Sequence, residues 1–156
     1  MRMAIRTFLL LAALTLAGCA QPGPPFASLA ASLPPVPAGE ARIFFYRWLE
    51  PYESTAATAV LLNGNRVAVT ETGSVLYRDL APGQYTISIP NSGRYPYQFK
   101  TVVLAPGEVM YARIESRRDW AVCNIYSDAC QDTFVVNLVA PSLGLSEMRG
   151  LRLIGG

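Results

Sequence analysis

From Ala41 onward the chain is written in short apolar runs separated by Gly, Pro and Asn, and the runs alternate with a period of two rather than 3.6. Gln84–Ile89 is the clearest, with Tyr85, Ile87 and Ile89 on one face and Gln84, Thr86 and Ser88 on the other. Thr133–Val139 repeats the pattern through Phe134, Val136 and Leu138. Ala41–Trp48 is apolar or aromatic on both alternations, which suits a strand buried on two sides. Ala59–Leu62 and Arg66–Thr70 flank Asn63-Gly64-Asn65, a hairpin signal because Asn and Gly accept positive φ. Ser74–Arg78, Tyr97–Leu104 and Glu108–Glu115 are further strand-type runs. Leu80-Ala81-Pro82-Gly83 and Leu104-Ala105-Pro106-Gly107 each precede a strand and read as type II turns, Pro setting φ and Gly taking the positive φ after it. Seven to nine strands at this spacing, with no long helical pattern between them, predict an all-β fold over residues 41–140, a single small β-sandwich or partly open barrel.

The flanks are of a different kind. Arg2 and Arg6 precede Phe8–Ala17, ten uncharged apolar residues, too short to span a bilayer and suited to the core of a secretory signal over residues 1–18. Residues 20–40 hold six of the twelve prolines and no charge before Glu40, the composition of a tether reaching about 65 Å if fully extended as polyproline. Phe26, Leu29, Ala30 and Leu33 fall at helical spacing, so a short amphipathic turn that docks on the domain or touches lipid is the alternative to a disordered spacer; the spacer is favoured because eight residues do not sustain an independent helix. After residue 140, Leu143, Leu145, Met148, Leu151, Leu153 and Ile154 form an apolar segment, read either as a short packed helix or as a sticky surface for a partner or the membrane.

Charge and composition narrow the function. The 156 residues carry 13 basic and 11 acidic side chains and no histidine. Removing residues 1–18 leaves 138 residues with 11 of each sign, so nucleic acid is not an expected partner. Without imidazole there is no Ser-His-Asp or Cys-His machinery and no His-ligated zinc. No cofactor and no metal site are expected, and Asp119, Asp128 and Asp132 lack the spacing of a calcium loop. An enzyme here would work with Glu50 and Glu53 or with Lys100, residue types that in a loop and on a strand are ordinarily solvated charges. Catalysis is therefore not the expected role.

Two resemblances add to this reading. Leu16-Ala17-Gly18-Cys19 resembles the lipobox of bacterial lipoproteins, which implies cleavage before Cys19, a diacyl thioether on its sulfur and membrane attachment through that lipid. Two or three acyl chains, at about 0.8 kcal/mol per buried methylene, hold a protein on a membrane stably. Ala20 follows in place of the Asp that favours inner-membrane retention in enteric bacteria, which by the same resemblance implies the outer membrane, facing the periplasm. Ala41-Arg42-Ile43-Phe44-Phe45-Tyr46-Arg47, Val60-Leu61-Leu62-Asn63-Gly64 and Leu76-Tyr77-Arg78-Asp79-Leu80-Ala81-Pro82-Gly83-Gln84-Tyr85-Thr86 resemble the bacterial lipoprotein family of the domain of unknown function 2846. The small sandwich modules with a Pro-Glu-Gly-Ala signature are similar around Ala81-Pro82-Gly83-Gln84-Tyr85. The resemblance covers about residues 40–115 and implies a transthyretin-like or prealbumin-like sandwich, with no catalytic residues to carry over.

With Cys19 assigned to lipid, Cys123 and Cys130 remain as an even pair in an oxidising compartment, closing an eight-residue loop. A structural disulfide there contributes about 2.5 kcal/mol in the chain-entropy model. A redox or metal pair is the competing reading, disfavoured by the spacing of six and by the lack of further ligands. Tyr46, Tyr85 and Tyr111 read as core, whereas Trp48, Tyr52, Tyr95 and Trp120 sit at strand ends or loops and are candidate binding residues for an envelope protein or peptidoglycan. The expected function is a lipid-anchored, non-catalytic binding or scaffolding module. An envelope enzyme using loop carboxylates and a plain structural spacer are the alternatives. The disulfide makes the first prediction: the exported protein, unfolded without reductant, shows no titratable thiol, and two free thiols would remove the disulfide.

Overall fold

The computed structural model describes residues 24–49, 54–90, 98–124 and 129–156; between residues 118 and 132 it describes the backbone alone. The expected signal segment, the lipobox-like residues Leu16, Ala17 and Gly18, and Cys19 lie outside the described residues. Among the described residues nine strands form two sheets, an all-β sandwich. The first sheet has five strands: β8 (Ala129–Val139), β7 (Val109–Asn124), β1 (Ala41–Tyr46), β4 (Ser74–Leu80) and β9 (Arg152–Gly155), in that order. The second has four: β3 (Asn65–Thr70), β2 (Thr58–Leu62), β5 (Gly83–Ser88) and β6 (Lys100–Leu104). Neighbours pair antiparallel except β1 with β7 and β4 with β9, which run parallel.

Alternation sets the two faces of each strand. Ala41, Ile43 and Phe45 of β1 point between the sheets, where they meet Val60, Ile87, Leu104 and Phe134 in the main core. Phe44 and Tyr46 point the other way, out of the five-stranded sheet, and are buried as well. The cover over that outer face comes from both ends of the chain. Helix α1 (Phe26–Leu29), followed by a 3-10 turn at Ala30–Ser32, drives Phe26 against Phe44 edge to face at 5.6 Å. Helix α2 (Pro141–Met148) contributes Met148, fully buried, and Leu151 follows it into the same cluster. Among the described residues no helix is long and apolar enough to cross a membrane.

Main-chain and ionic contacts fix the cover. Phe26 N–H donates to the Leu151 carbonyl at 2.7 Å, Ala27 N–H to the Arg149 carbonyl at 3.2 Å, and Pro25 bridges to Arg152. Arg42 holds Asp79 through two hydrogen bonds of 2.6 and 2.7 Å, donates to the Pro34 carbonyl at 2.8 Å and lies 4.1 Å from the Tyr77 ring centroid. Leu33 packs on the cluster too. The spacer expected over residues 20–40 is therefore replaced, from Pro24 on, by the docked turn. The reason is tertiary: a four-residue helix cannot form alone, but Phe26 has an aromatic slot to fill and the free N–H groups of α1 have carbonyl partners.

Several expectations about elements hold and others change. Asn63 at φ +51° and Gly64 at φ +81° turn β2 into β3. Gly107, at φ +75°, has the positive φ expected after Pro106. Gly83, at φ +152°, instead opens β5, so the two Pro-Gly motifs match in sequence but not in conformation. β7 and β8 run well past the expected Glu115 and Thr133 as one long antiparallel ribbon. The C-terminal apolar segment is a packed helix, as one reading had it, but it ends in a strand that neither reading contained.

Gly144 of α2 lies directly on Tyr111: a β-carbon there would come within 2.7–2.8 Å of the ring's Cδ1 and Cγ and of Cβ. These atoms sit at the root of the side chain and cannot swing aside. Gly144→Ala is expected to destabilise the fold by about 1–3 kcal/mol, lowering the thermal midpoint, despite alanine's better helix propensity. An unchanged or higher midpoint in calorimetry would show that α2 does not approach so closely.

Candidate binding site

Parallel pairing of β1 and β7 puts Tyr46 opposite Arg113. Two residues further along the strands, on the same outer face, stand Trp48 and Glu115. The last turn of α2 lowers Glu147 onto this group, and the five side chains form one network. The Tyr46 hydroxyl donates to Glu147 Oε2 in a short hydrogen bond. Arg113 Nη1 donates to Glu147 Oε1 at 2.8 Å, while Arg113 Nε forms an ion pair with Glu115 Oε1. The Arg113 guanidinium carbon lies 4.6 Å from the centroid of the Trp48 ring, in cation–π range.

Burial grades across the network. Tyr46 is fully buried and the Glu147 side chain is 7% exposed, whereas the side chains of Arg113 and Glu115 are 19% and 20% exposed. Trp48 is half-buried. Burial, then the hydrogen bond to Glu147, pushes the Tyr46 phenol well above its ordinary pKa of 10, so it stays protonated as a donor. Tyr111 is raised as well, by burial. One guanidinium faces two carboxylates. The parts of the group left partly exposed are the Trp48 indole, Arg113 and Glu115, an aromatic ring and a carboxylate of the kind that stack on a planar or sugar face and accept hydrogen bonds.

Of the residues singled out from the sequence, only Trp48 is described in this group. Tyr52, Tyr95, Glu50 and Glu53 lie outside the described residues, and Trp120 is placed in β7 by its backbone alone. Cys123 and Cys130 occupy directly paired positions of the β7–β8 ribbon, but their side chains also lie outside the described residues. Lys100 begins β6, half-buried and opposite Ile87. Tyr46 and Tyr111 are core residues as expected, though beneath the outer cover and not between the sheets. Tyr85 is partly buried against the main core and donates to the Ala81 carbonyl at 2.9 Å.

Sequence reasoning missed Arg113, Glu115 and Glu147. The first two carry a usable signal, because Tyr111, Arg113 and Glu115 alternate on one face of β7 just as Tyr46 and Trp48 do on β1. Glu147 carries none, since only the docking of α2 brings it there. It also missed Arg47, fully buried next to Tyr46, whose guanidinium donates to the carbonyls of Ser54 at 2.5 Å and Ala56 at 2.6 Å and lies 4.8 Å from the Phe134 ring centroid. Among the described residues no group of three or more His, Cys, Asp or Glu is placed to hold a metal ion. No family model matches the chain, and neither the curated proteins nor the solved structures contain a match.

The Tyr46 proton gives a signed prediction. A folded-state pKa above that of the unfolded chain means that stability is complete below about pH 10 and falls above it, by up to about 1.4 kcal/mol per pH unit for each such group. Tyr46→Phe is less stable than the parent near neutrality because Glu147 loses a donor, and the gap narrows as pH rises past about 10. Denaturant midpoints of the two proteins across that range provide the check; a gap independent of pH would place the Tyr46 phenol in contact with water.

Proposed function

We propose that this chain is a lipid-anchored envelope protein whose β-sandwich serves as a non-catalytic binding or scaffolding module. The observation that carries the reading is the Trp48–Arg113 stack held by Glu115 and Glu147: an aromatic and polar surface at the end of a central strand, next to the buried Tyr46 phenol. Rigid aromatic and arginine side chains of this kind anchor partners at low entropic cost. A phenol held protonated against a carboxylate is a fixed hydrogen-bond donor and is poorly suited to act as a base near neutral pH.

In this reading Cys19 carries the lipid, the protein sits on the outer membrane facing the periplasm, and Cys123 and Cys130 are joined across the β7–β8 ribbon, where their paired positions favour a bridge. Membership of the domain of unknown function 2846 family is part of the same proposal and rests on the motifs of residues 40–115. The partner is an envelope protein or peptidoglycan, met by Trp48 and, from the undescribed or partly described regions, by Tyr52, Tyr95 and Trp120.

The reading is tested in cells. Labelled palmitate should enter the wild-type chain and not Cys19→Ser, and crosslinks formed by the anchored protein should be lost in Trp48→Ala or Trp120→Ala while its abundance is kept. Crosslinks indifferent to both tryptophans, together with a phenotype that follows Glu50→Gln/Glu53→Gln, would favour the enzyme alternative.

A further inference from the structure

Docking of the N-terminal turn changes what a lipid at Cys19 does to the domain. A free spacer over residues 20–40 lets the sandwich wander and turn. The chain is instead fixed on the domain at Pro25, which bridges to Arg152, and at Phe26, which donates to Leu151. From Cys19 to Pro25 are six residue steps, which however they run cover at most about 22 Å. A domain of this size has a radius of gyration of roughly 14 Å and is about 36 Å across. The leash is thus shorter than the body it holds, and it leaves from the outer face of the five-stranded sheet.

The segments that cover that face are poor in charge. Residues 24–39 contain no charge. On α2, Leu143 and Leu145 flank the buried Gly144, and each is 45% exposed. Charges between Pro141 and Gly150 are Glu147, whose side chain is buried against Tyr46 and Arg113, and Arg149, which is exposed and of the sign that anionic headgroups attract. We propose that, in the anchored protein, the cover formed by α1, its 3-10 turn and α2 lies against the bilayer, with Leu143 and Leu145 at the headgroup layer, the four-stranded sheet turned away, and Trp48, past the last turn of α2, at the rim of the contact where a partner can still reach it. This rests on lipidation of Cys19 and adds to it an orientation.

The test uses the full lipidated protein purified into vesicles of phosphatidylethanolamine and phosphatidylglycerol. A photo-reactive p-benzoylphenylalanine replaces Leu145, or in a second variant Leu143 in case the first does not fold. A control carries it at Val103, which is 69% exposed on the opposite sheet. On irradiation the variants at 145 and 143 are expected to gain the mass of a phospholipid, and the control is not. Intact mass without acyl chains overturns the anchor and the orientation together. Acylated protein that gives no phospholipid adduct at either leucine, equal adducts at Val103, or adducts of the leucines with a second copy of the chain overturns the orientation alone.

Discussion

A sheet whose central strand is apolar on both sides has to be covered twice. In β1 every residue from Ala41 to Tyr46 is buried, so pairing the five-stranded sheet with its four-stranded partner solves only half the problem. Leaving Phe44, Tyr46, Tyr77 and Tyr111 in water would forfeit about 1.5–3 kcal/mol for each large apolar side chain. The second cover is assembled from the least promising parts of the sequence, a proline-rich lead and a short tail. Both helices, α1 and α2, are where they are because of that face.

The cover is fixed in position by polar groups as well as by apolar contact. Gly144 and Glu147 lie three residues apart on one side of α2. The first admits Tyr111 by lacking a side chain, and the second takes hydrogen bonds from Tyr46 and Arg113. A slip of α2 by one residue would put Leu143 or Leu145 against Tyr111 and Ser146 or Met148 under Arg113, losing both matches at once. Arg42 does the same for the N-terminal side, since its single guanidinium satisfies Asp79 on β4 and the Pro34 carbonyl while stacking on Tyr77. Isolated buried charges are costly, and these are tolerated because each is met by an opposite charge and by geometry that only one arrangement provides.

The sandwich was legible from the sequence because its signals are local. The two-sided burial of β1, the alternation in β5 and the Asn63-Gly64 turn each appear within a few residues. The strand β9 has no such signal: its four residues gain their identity by pairing in parallel with β4, more than seventy positions earlier. The docked turn at Phe26 is disfavoured by local sequence, because propensity and length argue against so short a helix and the aromatic slot that rescues it is assembled by distant residues. The site divides in the same way. Trp48 stood out as an aromatic at a strand end, and Arg113 and Glu115 follow from alternation on β7, whereas Glu147 depends on tertiary docking alone.

The bridge between Pro25 and Arg152 ties together segments from opposite ends of the described chain, and nothing local helps it to form. Loop closure over such a separation is slow relative to the hairpins of the sandwich, so by contact order the outer cover closes after them. Until the tail arrives, the chain presents a broad aromatic sheet surface with an unpaired β4 edge, the combination most prone to stick to other chains. The vulnerable moment of this protein is thus the interval between closing its main core and receiving residues 141–155, and a chain truncated or stalled before them would be held in that interval indefinitely.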